Sequence, residues 1–363
     1  MHKKNLALHV IKAFSGDALF LSYIGNDEDE HHILIDGGMP NTYKKYIKNH
    51  LNKIDYLDHI FLTHIDKDHI GGILKLLDSS QKNKVKNIFF NSGKMIKKSY
   101  STMISESDGI ALVDFINNSN ELNTNKEEIT NKSRPFNFFG LEITFLSPSY
   151  EALEVFNNAF TLGEVKEEAL ISNSLIKEDT YVDFYQFIKD KPFKEKHLKD
   201  DPANGASLSM IIKYEEQTLL LLGDAKDHII ISSLKSLGYS IQNRLKVDYL
   251  KLAHHGSKYH TSEAFLALVD SQRFIISTNG RYGHPNLETL ARILCHEHRD
   301  KSKKIYFYYN YAKEDYKNTK THLLTSEEEE RYNCKSIYNI TLCEPHSPKS
   351  KIMGEASFVM NTR

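Results

Sequence analysis

Cysteine is scarce here. Cys295, Cys334 and Cys343 are the only three in 363 residues, and they lack the close spacing of a zinc ribbon or a redox motif. They read as free thiols of a reducing compartment. An excess of one charge is also missing. The 47 Lys and Arg stand against 48 Asp and Glu, a formal net charge of -1. The chain as a whole therefore has no attraction for nucleic acid, and any polyanion contact must come from a local patch. No apolar run approaches the roughly 20 residues that span a bilayer. After the basic start, His9, Lys12 and Asp17 interrupt the core a signal peptide would need. The expected compartment is the cytoplasm, with no membrane partner. The remaining composition, 40% hydrophobic and 26% charged, is that of a soluble globular protein. The length allows one large domain or two ordinary ones.

Histidine, by contrast, is plentiful, with 18 residues, several of them clustered. The densest stretch is Leu62-Thr63-His64-Ile65-Asp66-Lys67-Asp68-His69-Ile70-Gly71-Gly72. Four metal-competent side chains, His64, Asp66, Asp68 and His69, fall directly after the apolar run His59-Ile60-Phe61-Leu62. A helix-like run, Ile73-Leu74-Lys75-Leu76-Leu77, follows. Residues that converge at a strand end, on a loop held by packed elements, are placed for chemistry. Solvation alone explains an Asp-Lys-Asp run. It does not explain two histidines flanking two carboxylates, and such clusters are metal candidates first.

The strand-then-ligand pattern recurs. Strands are expected over residues 5–13 and 18–24, joined at Ser15-Gly16-Asp17-Ala18, and over a third run ending in Asp36-Gly37-Gly38. Pro40 opens a helix that covers Tyr43 to Leu51. Residues 58–63 form a strand into the histidine-rich stretch, 85–90 another strand, 106–118 a helix, and 119–132 an Asn-rich surface loop. A strand returns over 140–148. Residues 149–203 break the alternation. Leu153, Phe156, Phe160, Phe184, Phe187 and Ile188 recur at helical spacing, which predicts a helical insertion serving as a lid. Beyond it a hairpin over 208–222 runs into Gly223-Asp224, and a helix follows over 227–237. Strand 247–253 runs into His254-His255-Gly256-Ser257, and a helix is expected over 262–269. Strand 274–279 empties into Gly280-Arg281-Tyr282-Gly283-His284-Pro285. The expected organisation is one domain over 1–300 carrying the insertion 149–203. A C-terminal extension, 301–363, packs on it and ends in a disordered tail.

Together, His64-x-Asp66-x-Asp68-His69 with its Ile-Gly-Gly, Leu222-Gly223-Asp224, His254-His255-Gly256-Ser257 and Tyr282-Gly283-His284-Pro285 resemble the metallo-β-lactamase fold. Within it they are similar to the soluble hydrolase domain of the ComEC/Rec2 competence-protein group. Gly16-Asp17-Ala18, Leu34 to Gly38 and Asn204 to Leu208 match segments of that group as well. The resemblance covers about residues 5–295 without the insertion. Asp66 stands where the commonest superfamily motif has histidine, a departure the competence group shares. The membrane-channel part of competence proteins has no counterpart here.

The resemblance implies an α+β fold, an αββα sandwich of two mixed sheets with outer helices. It implies two divalent metal ions, Zn²⁺ or Mn²⁺, with Mg²⁺ also compatible. One ion would sit on His64, Asp66 and a residue near Asn204, the other on Asp68, His69 and His284, and Asp224 would bridge them. Asn204 stands about where many relatives have a third histidine, and an amide oxygen is a weaker ligand. A carboxylate at Asp66 hardens its site. Asp36 is expected to orient His64 from behind. Adjacent residues leaving a strand point to opposite sides, so only one of His254 and His255 is expected to face the ions. His254 is the favoured one, as the group that contacts an oxyanion or protonates a leaving group. Ser257 either holds a phosphate oxygen or caps the following helix. His31, His32, His260, His296 and His298 read as structural or surface residues.

The expected activity is hydrolysis of a phosphodiester, most directly a nuclease reaction, with Asp68 and the histidine pair as catalytic residues. A small phosphodiester, a cyclic nucleotide or phosphocholine-type ester, is the alternative substrate. Lys94, Lys97 and Lys98, and Lys194, Lys196 and Lys199, are the basic stretches that a nucleic acid would use. A third reading is a regulated subunit with a weakened metal centre, binding a protein partner through the insertion or the extension.

Overall fold

The protein is described by a computed structural model over residues 6–91, 107–117, 122–162 and 183–340. Two mixed sheets lie face to face. The first holds six strands in sequence order: β1 (Leu6–Val10), β2 (Leu19–Ile24), β3 (Glu30–Ile35), β4 (Leu57–Phe61), β5 (Val85–Phe89) and β6 (Asn123–Thr124). The first three are antiparallel and the rest parallel. The other strands are β7 (Phe136–Phe138), β8 (Leu141–Ser147), β9 (Ser209–Tyr214), β10 (Gln217–Leu221), β11 (Leu245–Lys246), β12 (Tyr249–Lys251), β13 (Val269–Asp270), β14 (Arg273–Ile276), β15 (Ile305–Tyr309) and β16 (Cys334–Ile337). Eight of them form the second sheet in the order β16-β15-β14-β12-β10-β9-β8-β7, while β11 and β13 pair separately.

The period-two alternation of side chains sorts the apolar residues into three packed layers. Leu19, Leu21, Ile33, Ile35 and Phe61 face inward and meet Phe145, Met210, Ile212, Leu221 and Ile275 of the second sheet. Their neighbours Phe20, Leu34, Ile60 and Leu62 point outward, onto Ile70, Ile73 and Leu76 of the helix Lys67–Leu77. On the other outer face Leu220, Leu250, Phe274 and Phe307 meet Ile230, Leu234, Leu290 and Leu294 of the helices Asp227–Ser236 and Leu287–Cys295. A sheet buried on both faces needs apolar residues at successive positions, which is why β3 and β4 read as continuous runs rather than alternating ones. The result is the αββα sandwich of two mixed sheets.

Several local expectations need correction. Residues 262–269 are not one helix. It spans Glu263–Leu266, and Val269 and Asp270 turn into β13. The Asn-rich stretch 119–132 is not only a surface loop: Asn123 and Thr124 form the edge strand β6, and Ile129 is buried. Asparagine there substitutes for backbone. Asn125 accepts from Phe90 N and donates to Phe90 O, both at 3.0 Å. Asn91 pairs in the same two-sided way with Ile129, at 2.8 Å each. Within 149–203, the helices Tyr150–Leu162 and Phe184–Asp190 pack into the body. Leu153, Phe156 and Phe160 rest on Ile65, Ala203 and Ala206, and the Phe184 ring stacks on Tyr332 at 4.3 Å. Residues 163–182 of that expected lid, Lys94, Lys97 and Lys98, Cys343 and the expected disordered tail lie outside the described residues. Segment 301–340 contributes β15 and β16, which extend the second sheet in parallel from β14. No helix among the described residues is long and apolar enough to cross a membrane.

Buried neutral histidines make the fold acid-sensitive. His59 packs against Phe138 with ring centres 3.8 Å apart, and burial lowers its pKa to about 4. Burial, then Arg244 and Arg299, lower His296 to about 3. The unfolded chain takes up protons as pH falls through about 6.5, while these two sites in the folded chain do not. Their contribution is therefore intact above pH 6.5 and is lost from there down to about 4 for His59 and about 3 for His296. At pH 5 each costs about 1 kcal/mol after a discount for partial solvation. Thermal melts should fall from pH 7.5 to pH 5, and His59→Leu should flatten that slope; an unchanged slope contradicts the assignment.

Candidate metal centre

Five connections leave the C-terminal ends of neighbouring strands at one edge of the sandwich and deliver every candidate ligand there. Asp36 follows β3, the His64 to His69 stretch follows β4, and Asp224 follows β10. His254 and His255 follow β12, and His284 lies beyond β14. Crevices outside the carboxyl ends of parallel strands are where α/β sheets place their ligands.

The loop after β4 is fixed by Asp36, whose backbone has φ of 58°. Its carboxylate accepts from Thr63 N, Thr63 Oγ and His69 Nδ1, each at 2.7 Å. Asp36 therefore holds His69 directly and reaches His64 only through the Thr63 hydroxyl, a correction to the expectation. That hydroxyl gives its proton to Asp36, so it accepts from His64 Nδ1 at 3.0 Å. Both rings thus carry hydrogen on Nδ1 and turn Nε2 to the centre. His255 is fixed the same way, Nδ1 donating to Ser277 O at 2.8 Å.

Asp224 Oδ2 is the meeting point. It lies 3.3 Å from His69 Nε2, 3.7 Å from His255 Nε2, and 3.8 Å from both His64 Nε2 and His254 Nε2. Asp66 Oδ2 is 3.5 Å from His64 Nε2. Asp68 reaches His69 Nε2 at 3.9 Å through Oδ1 and His255 Nε2 at 3.8 Å through Oδ2. Burial opposes the Asp224 charge, but His69, then His254 and His255, hold it well below the usual carboxylate range. Burial likewise opposes charge on His69, and Asp224 with Asp36 pull it well above the ordinary imidazole value. The centre therefore attracts positive charge where a proton or a cation can supply it. His64 Nε2, His69 Nε2 and Asp224 Oδ1 are buried with no hydrogen-bond partner. Buried polar atoms seldom remain unmatched, so this donor set fits divalent ions. The sets His64–His69–Asp224 and Asp68–His69–His255 each have their ligand atoms within 4.8 Å of one another.

The remaining expected residues fall around this nucleus. His254 and His255 do not point to opposite sides: both have positive φ, 45° and 55°, which breaks strand alternation and turns both rings inward. Expecting one of them to be excluded was therefore wrong. His254 Nδ1 lies 3.5 Å from both Asn204 Nδ2 and His260 Nε2, and His260 is buried behind it. Asn204 stands in the short helix Pro202–Gly205, and its Oδ1 is buried without a partner. His64 Nε2 meets Asp224 Oδ2 at 3.8 Å. Among the described residues His284 joins no group of His and Asp ligand atoms, although its ring centre is 5.6 Å from His254's and burial, then His254, holds its pKa well below the ordinary value. Ser257 does not cap the following helix. Ser262 does, accepting from Phe265 N at 3.1 Å, because Glu263–Leu266 starts five residues later than Ser257 could reach.

Asp17, Lys251, Thr63 and Ser207 are the members that sequence reasoning passed over. Lys251, buried on β12, forms an ion pair with Asp17 and lies 4.0 Å from Asp224 Oδ1. A lysine inside the apolar run Tyr249-Leu250-Lys251-Leu252 was the available signal. Ser207 Oγ receives Asp224 N at 3.0 Å and so fixes the turn carrying that carboxylate.

Residues 21–88 match the family model of the metallo-beta-lactamase superfamily, a span running from β2 to β5 through the histidine-rich loop. No curated protein matches the chain. Among solved structures it is similar to the metallo-beta-lactamase fold protein YhfI from Bacillus subtilis, at 11% identity and TM-score 0.39, covering 93% of this chain and 97% of that one. It is also similar to Zn²⁺-bound PqqB from Methylobacterium extorquens, at 10% identity and TM-score 0.42, covering 94% and 100%. A long form RNase Z from yeast matches at 11% identity and TM-score 0.37, over 76% of this chain and 37% of that one. The sandwich topology and the matched segment together make this the metallo-β-lactamase fold.

Proposed function

We propose that the protein is a metal-dependent hydrolase of phosphodiesters, acting by preference on a polynucleotide strand. One observation carries this reading: three buried imidazoles turn Nε2 toward a single oxygen of buried Asp224. His64, Asp66 and Asp224 would hold one divalent ion, and Asp68, His69 and Asp224 the other. Two such ions activate a water and neutralise phosphoryl oxygens when bound.

The chain's own groups supply the rest. Asp66, Asp68 and Asp224 form a hard, carboxylate-rich set, which suits Mn²⁺ or Mg²⁺ beside Zn²⁺ and suits phosphoryl oxygen as co-ligand. His254, with Nδ1 against Asn204 and His260, would move a proton from Nε2 to the departing oxygen. Tyr259 follows two residues after Ser257, and its ring lies 5.2 Å from Lys196 Nζ and 5.4 Å from Lys258 Nζ. A ring with two cations beside it forms a basic, aromatic patch of the kind that takes a base and its phosphates. A small phosphodiester is the second reading. It is favoured by the buried Lys226–Asp201 pair, whose carboxylate feels the charge of His254 and so stands near the centre.

Purified protein with Mn²⁺ or Zn²⁺ should cleave single- or double-stranded DNA, and Asp68→Ala or His69→Ala should lower the rate by at least about a thousandfold. Turnover of bis(4-nitrophenyl) phosphate without cleavage of DNA or RNA would move the assignment to the small ester. Full metal occupancy with no turnover of either would overturn the hydrolase reading in favour of a regulated, partner-binding subunit.

A further inference from the structure

The family resemblance leaves His255 outside the metal ligands and relies on His284. The distances argue otherwise. His255 Nε2 stands 3.8 Å from Asp68 Oδ2 and 3.7 Å from Asp224 Oδ2, and Asp224 Oδ2 stands 3.3 Å from His69 Nε2. The two gaps to His255 are too long for hydrogen bonds. They match the roughly 3 to 4 Å separating ligand atoms that each lie about 2.1 Å from one shared cation. Asp68, His69 and His255 form a ligand group among the described residues, whereas His284 enters none and its ring centre is 6.5 Å from that of His255.

The backing of His255 repeats that of His69. Asp36 grips His69 Nδ1; Asp17 Oδ1 lies 3.3 Å from His255 Nδ1, beside the Ser277 carbonyl that accepts its hydrogen. Asp17 is itself held by Lys251, which also lies 3.3 Å from Gly223 O and 4.0 Å from Asp224 Oδ1. Lys251 thus lies near Oδ1 of Asp224, while the imidazoles face Oδ2. An unpaired buried carboxylate or ammonium is too costly to persist without such an arrangement.

We propose that His255 closes the second metal subsite together with Asp68, His69 and Asp224, and that Asp17, locked by Lys251, is the positioning residue for its ring. This rests on the metal-centre reading above and can fail while that reading stands.

The test uses the full chain, loaded with Co²⁺ and separately with Zn²⁺, dialysed, and assayed for bound metal per chain and for Co²⁺ absorption. Circular dichroism melts confirm folding, and His255→Gln accompanies His255→Ala in case the smaller residue loosens the loop. The wild type should hold two ions. Both His255 variants should hold one, with an altered Co²⁺ spectrum, while His284→Ala keeps two. Asp17→Asn should keep both ions but bind the second about 10- to 100-fold more weakly, as loss of a carboxylate behind a ligating histidine does. Two ions and an unchanged spectrum in folded His255 variants would overturn the proposal, whatever His284→Ala does. Loss of an ion from His255 and His284 variants alike would uphold His255 and add His284 to the subsite. A wild type that takes up no ion would remove the metal-centre reading and this proposal with it.

Discussion

Asp224→Ala is expected to abolish metal-dependent activity, by about 10⁴-fold or more, and to strip both ions. On the proposed reading Asp66 and Asp68 would each serve one subsite, but four imidazole nitrogens lie within 3.8 Å of the same Asp224 oxygen. Removing Asp224 would delete the carboxylate assigned to both halves, and metal charge at a reacting phosphate is worth several kcal/mol. The substitution also releases His69 from one of the two carboxylates that hold it protonated in the metal-free chain. His69 should then titrate nearer its ordinary value, readable by NMR of the ring protons in the metal-free protein. Residual activity within tenfold of wild type, or retention of two ions, would contradict the central role given to Asp224. Asp224→Asn separates charge from shape: it keeps the hydrogen bond from its own N–H to Ser207 Oγ and should fold normally while losing the ions.

Gly16→Ala should be the most damaging of the small substitutions, costing about 3 kcal/mol or more. A Cβ at Gly16 would fall 1.6 Å from the backbone oxygen of Asp68, which cannot swing aside as a side chain can. The Asp68 carbonyl also receives the Asp17 N–H at 3.3 Å, so the methyl would separate two loops that are bonded to each other. Asp17 and Asp68 would move apart together, and each serves the centre. The expected result is a lower melting temperature and a weaker second metal ion from one change made outside the proposed ligands. Gly238→Ala is the control. Nothing lies within 4 Å of its Cβ position, so the penalty there comes from its positive φ of 87° alone and leaves the ions in place.

Much of this could be seen in the sequence because the chemistry is punctuated. Apolar runs of five or six residues end abruptly in His, Asp or Gly, and those runs became β3, β4, β10, β12 and β14. The four-residue cluster His64, Asp66, Asp68 and His69 and the distant Asp224 did come together, since β4 of the first sheet and β10 of the second end at the same edge of the sandwich. Other parts left no local pattern. The Asp17–Lys251 pair joins residues 234 positions apart, and nothing near either one names the other. The joint inward turn of His254 and His255 depends on the sign of two backbone angles, which glycine would have advertised and histidine does not. Asn125 looked like a loop residue because the composition around it is that of a loop. Its side chain, like that of Asn91, instead stands in for strand hydrogen bonds at the β5 edge.

The origin of the ligands on two different sheets has a consequence for the order in which the protein can be completed. His64 to His69 leave the ribosome with the first sheet, and Asp224 and His255 arrive more than 150 residues later with the second. At ordinary elongation rates that is a wait of about ten to thirty seconds. During it the early half exposes two histidines and two aspartates with no shared carboxylate to close the site. Such a half-site would hold a stray cation only weakly, so on the proposed two-ion reading uptake of the metals would be a late event, coupled to the docking of the second sheet. Ions bound there would clasp the two sheets together, and the halves should then separate more readily in a chelator than in buffer.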